Sequence, residues 1–77
     1  MEHRYLHTFQ LTVDGLDQPV EFRILLELED AAESTDTFAK YVARQEDNFL
    51  PLGETAAIRA NRILRIVHVS VEGGPAN

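Results

Sequence analysis

Apolar and polar positions alternate from Tyr5 to Val13, with Tyr5, His7, Phe9, Leu11 and Val13 on one side and Leu6, Thr8, Gln10 and Thr12 on the other. A period of two predicts a half-buried β-strand. The run Asp14-Gly15-Leu16-Asp17-Gln18-Pro19 supplies turn residues. Val20, Phe22, Ile24, Leu26 and Leu28 then alternate with Glu21, Arg23, Leu25, Glu27 and Glu29. Two alternating runs around an Asp-Gly turn predict an antiparallel hairpin with one apolar face that another element must cover.

After Leu28 the period changes. Glu29 to Glu33 reads as a polar connection, and Ser34 or Thr35 as the residue whose oxygen accepts from the free amides of a following helix, with Asp36 against its positive end. Phe38, Tyr41, Val42, Gln45 and Phe49 keep helical spacing, which predicts a helix from Thr35 to Asp47 with Phe38, Tyr41 and Val42 toward the sheet. Asn48 is placed to close it. Pro51 disfavours helical geometry at Leu50, so Leu50-Pro51-Leu52-Gly53 is expected to leave as an extended or turn segment.

Thr55 to Val71 reads as a second β region. A strand near Glu54–Arg59, a tight turn at Ala60-Asn61-Arg62 and a long strand Ile63–Val71 predict another hairpin, since Asn tolerates the backbone angles of a turn. Ile63, Leu64, Ile66, Val67, Val69 and Val71 are apolar on both parities, so this last strand is expected to be buried on both faces. Gly73 to Asn77 has no pattern and reads as a flexible tail, which leaves residues 1–72 as one domain.

Composition narrows what such a domain can do. The chain has 77 residues, a formal charge of −6, no Cys and no Trp. It lacks the apolar run of a membrane span and the apolar centre of a signal peptide, so a cytoplasmic location is expected. Without cysteine there is no disulfide framework and no thiolate metal site. Small domains without such staples often gain stability by associating.

The charge is unevenly spread. Residues 1–26 carry four acids and two bases; residues 27–54 carry eight acids against Lys40 and Arg44; residues 55–77 carry Arg59, Arg62 and Arg65 against Glu72. An acidic middle beside a basic last third suits contact between two copies of the chain.

The segment Ile58-Arg59-Ala60-Asn61-Arg62-Ile63-Leu64-Arg65-Ile66 resembles the second signature of Sm-like small barrel domains, Ile-Arg-Gly followed after two residues by an apolar strand. The resemblance implies a strongly bent barrel and an arginine that helps line a nucleotide pocket in a ring. The sequence departs from the pattern at Ala60, where the family has Gly, and in placing its helix between strands. A looser resemblance covers most of the chain. Phe49-Leu50-Pro51-Leu52 followed by Asn61-Arg62-Ile63-Leu64-Arg65-Ile66 is similar to segments of small uncharacterised bacterial domains, and it implies a barrel-like fold without a known activity.

Catalytic and metal chemistry find little support. His3 and His7 lie about 13 Å apart along a strand, too far for one zinc ion, and His7 reads as a hydrogen-bonded or edge histidine. Glu21, Glu27 and Glu29 fall on the wet face of the second strand, and no Ser or Thr carries a nucleophile motif. No enzyme activity, cofactor or metal is therefore expected.

The fold expected is α+β: a small bent antiparallel sheet or partly open barrel in ββαββ order with one helix. Its core would hold Phe9, Leu11, Val13, Val20, Phe22, Ile24, Leu26, Phe38, Val42, Ile58, Ile63, Ile66 and Val69. The role expected is a non-catalytic adaptor or regulatory module acting by protein contact with another copy, as a homodimer, or with a larger protein. Leu6 and Leu25, on the outward parities of adjacent strands, together with Arg59, Arg62 and Arg65, are the contact candidates. The alternative is Sm-like RNA or nucleotide binding through Arg59, Asn61, Arg62 and Arg65, which the net negative charge opposes.

Overall fold

A computed structural model describes residues 3–52 and 54–75 of the chain. In chain order the elements are β1 (His3–Val13), β2 (Val20–Leu26), α1 (Ala31–Gln45), β3 (Phe49–Pro51), β4 (Ala57–Arg59), a 3₁₀ turn over Ala60–Arg62, and β5 (Ile63–Pro75). β1 is the centre of a three-stranded antiparallel sheet ordered β2-β1-β5, and β3 pairs with β4 in a separate two-stranded ladder. The architecture is α+β with an open sheet. No helix among the described residues is long and apolar enough to cross a membrane.

The first hairpin forms as the alternation predicts, with Leu6 opposite Leu25, Phe9 opposite Phe22 and Leu11 opposite Val20. Gly15 has φ +91°, and the Leu16 amide donates to the Val13 carbonyl at 3.1 Å. Only glycine adopts that angle readily, which fixes the turn's position.

Helix α1 starts earlier than the expected Thr35. Asp30 caps it, its carboxylate accepting from the Glu33 amide at 2.8 Å. Ser34 is then free to face inward, in line with Phe38 and Val42, and all three are buried. Their spacing of four puts them on one stripe against the sheet. Phe38 stacks on Phe9 with ring centroids 4.7 Å apart and on Phe22 at 5.1 Å. Tyr41 sits at the margin of this stripe and stays exposed.

The strand order ββαβββ corrects the expected ββαββ. Phe49-Leu50-Pro51 is a strand because Leu50, opposite Ile58, has an almost fully buried side chain. Pro51 is tolerated at the end of so short a ladder. β4 therefore pairs with β3 and not with β5. The 3₁₀ turn redirects the chain: the Ala60 amide donates to the Asn48 carbonyl, the Asn61 amide to Glu46, and the Arg62 carbonyl accepts from the Asp14 amide, all at 2.8–2.9 Å. Pinned between the end of α1 and the β1–β2 turn, it delivers β5 to the free edge of β1.

β5 is an edge strand with one face open, where burial on both faces was expected. Its register against β1 slips between Thr12 and Val13 and again between Thr8 and Phe9, leaving Leu64 and Val69 as extra residues. Each bulge shifts the parity by one, so Ile63, Ile66, His68 and Val71 can all oppose the inward positions of β1. That is why apolar residues occupy both parities. Val69 leaves the expected core as a bulge residue, 51% exposed. Residues 73–75, expected in a tail, continue the ladder opposite Tyr5, Arg4 and His3, while residues 76 and 77 lie outside the described residues.

The core comprises Phe9, Leu11, Val13, Phe38, Val42, Leu50 and Ala60, with Val20, Phe22, Ile24, Ile58, Ile63 and Ile66 packed around it. Leu26 is half-buried.

Candidate functional site

A buried polar network among the described residues centres on His7, which the sequence places on an otherwise apolar face. His7 is fully buried. Its Nε2 lies 2.6 Å from the Leu28 carbonyl oxygen, which only accepts, so Nε2 carries the proton. His7 Nδ1 shares a hydrogen bond of 3.0 Å with His68 Nε2. Ser34 Oγ lies 3.2 Å from His7 Nε2 and donates to the same Leu28 carbonyl at 3.5 Å. Four groups from β1, α1, β5 and the β2–α1 connection thus satisfy one another.

Ser34, His7 and His68 are connected in series, but His7 Nε2 donates to the Leu28 carbonyl and so is not placed to take the Ser34 proton as a base would. Ser34 and His7 are both 0% exposed, so no substrate atom reaches Oγ in this conformation. The sequence hinted at this site only through His7. His68 is 61 residues away, and Ser34 reads as a helix cap until Asp30 takes that role. Among the described residues no three His, Cys, Asp or Glu side chains converge as metal ligands.

The arginine stretch is not one patch. The Arg59 guanidinium lies 4.7 Å from the centre of the Phe49 ring and donates to the Asp47 carbonyl at 3.1 Å. Asn61 Nδ2 donates to Asp47 Oδ1 at 2.8 Å, and Arg62 pairs with Asp14 at 3.0 Å. These three groups hold the β3–β4 ladder and the 3₁₀ turn to their neighbours. Arg65 differs: it stands opposite Thr12 on the sheet face away from α1, exposed.

That outer face is a mosaic. One row across the sheet reads Leu25, Leu6, Glu72; the next Arg23, Thr8, Ser70; the next Glu21, Gln10, Val67; and Arg65 follows beside Thr12. The structure brings Leu6 and Leu25 together, with Leu6 half-buried and Leu25 55% exposed. The bulge residue Val69, between the levels of Thr8 and Phe9, is exposed, as is Val67.

Along the open edge of β5 runs a groove of about 480 Å³, walled on the other side by Thr35, Ala39, Ala43 and Glu46 of α1. Ile63, Leu64, Arg65 and Ile66 all line it. Consecutive residues of both parities can share one groove only where the strand's own edge forms part of its wall. The helix residues facing that edge are small, which leaves its backbone groups reachable. No protein-family model, no curated protein and no solved structure matches the chain.

Proposed function

We propose that the domain is a non-catalytic protein-contact module that associates with itself. The observation that supports this best is the β5 side of the sheet: an edge strand left unpaired in the three-stranded order, bearing exposed apolar residues at Val69 and Leu64. A long apolar edge is a ready template for another chain. The outer pair Leu6 and Leu25 extends the candidate contact toward β2. The buried Ser34 and His7, with the polar candidates Arg59, Asn61 and Arg62 engaged within the fold, favour contact over catalysis or anion binding.

Light scattering across a concentration series tests the reading. Wild-type mass is expected to rise above that of one chain. Leu25→Glu and Val67→Lys then divide the face, the first reporting the β2 side and the second the β5 side. A wild type that remains a monomer throughout rejects the proposal.

A further inference from the structure

We infer that the occupant of the β5 edge is the β5 strand of a second copy, paired antiparallel about a two-fold axis between His68 and Val69, giving a continuous six-stranded sheet. The inference rests on the self-association reading above and adds its register.

The bulge at Val69 is what makes this register possible. In a regular strand, residues 65 and 72 point to opposite faces. Here Arg65 opposes Thr12 and Glu72 opposes Leu6, two β1 residues of the same parity, so both lie on the outer face. A two-fold axis perpendicular to the sheet keeps outer residues outer. About the His68–Val69 centre it sets Arg65 opposite Glu72 of the second copy, and Glu72 opposite its Arg65. Val67 then faces Ser70 on the outer side, and Ile66 faces Val71 on the inner side.

Three features favour this occupant. Charge is complementary twice over, because symmetry repeats the Arg65–Glu72 pair, and opposite charges directly across an antiparallel ladder are favourable. Val71 is 38% exposed although it opposes the inward-facing His7. Next to Ile66 of the other copy it would be carried to the groove beside Ala39 and Ala43. Finally, the stretch opposite Ile63 and Leu64 would be Gly73 and Gly74 of the second copy, which bring no side chain into the space beneath α1.

The experiment is a charge-reversal cycle read by sedimentation equilibrium. Arg65→Glu and Glu72→Arg each set like charges opposite each other at two places, and each is expected to weaken the dimer roughly ten- to thirty-fold. Both residues are exposed, so circular dichroism should be unchanged in either variant. The double variant restores opposite charges in reversed order and should recover wild-type affinity to within about threefold. Higher salt should weaken the wild type and strengthen the single variants, since exposed charges are screened. A dimer indifferent to both reversals, or singles not rescued in the double variant, overturns this register while leaving self-association standing. A monomeric wild type overturns both, and so favours a strand from a different protein as the occupant.

Discussion

His7 and His68 share a hydrogen bond of 3.0 Å between Nδ1 and Nε2, linking β1 to β5 at the level where the β5 ladder slips by one residue. Phe9 lies beside both rings, edge-on to His68 at 5.2 Å. The bond joins the two strands by side chains next to the place where the backbone register is irregular.

Replacing His7 therefore removes more than a ring. In His7→Phe the Leu28 carbonyl loses its 2.6 Å donor and His68 Nε2 loses its hydrogen-bond partner. A loss of about 2 kcal/mol in urea unfolding is expected, since the Leu28 carbonyl keeps only the 3.5 Å contact with Ser34 and His68 Nε2 loses its ring partner. Adding Ser34→Ala should cost more than its effect in the wild type, because Ser34 is then the remaining donor to the Leu28 carbonyl. Strict additivity would show that the network is not a unit.

The helix start offers a second check. Asp30→Ala removes the acceptor of the Glu33 amide and should lower stability by about 1 kcal/mol, whereas Thr35→Ala should cost much less. Equal losses would move the cap back to the place the sequence suggested.

Arg59 distinguishes a structural arginine from an anion-binding one. Arg59→Ala loses the Phe49 ring contact and the Asp47 hydrogen bond, and a decrease of about 0.5–1 kcal/mol in thermal unfolding is expected. Retention of short RNA on a filter at low salt should be absent in both wild type and variant. Retention by the wild type that the variant loses would assign Arg59 to nucleic acid.

Glu46 ends α1 at φ 45° and ψ −102°, a backbone conformation rarely held by a residue with a Cβ. Glu46→Gly should therefore stabilise the fold by about 1 kcal/mol, the relieved strain exceeding the extra entropy of the unfolded chain. A destabilised Glu46→Gly would mean that its side chain contributes more than its backbone costs.

Local chemistry was legible in the sequence wherever one face of an element decides its pattern. The β1–β2 hairpin shows in strict alternation around Gly15, and the body of α1 in Phe38 and Val42. The helix start was obscured because Asp30, Ser34 and Thr35 are all good caps, and only the buried pull of His7 on Ser34 settles which one acts. The partner of β5 could not be read at all. Two bulges scramble its parity, and its ladder is made with the other end of the described chain. Of the contact candidates, Leu6 and Leu25 met as adjacent outward positions should, while the arginines were separated by a 3₁₀ turn that looks in sequence like a hairpin loop.

The pairing of the first strand with the last also governs how the chain reaches this state. β1 remains exposed along one side until residues some 60 positions later arrive, as the 61-residue span between His7 and His68 shows. Closing so long a loop is slow, and folding on the millisecond-to-second scale of non-local β topologies follows. During synthesis the β1–β2 hairpin and α1 emerge first, with Phe9 and Leu11 covered on one side only. A ribosome stalled before β5 would thus hold an apolar, unpaired central strand, the species most open to chaperone capture or misassembly.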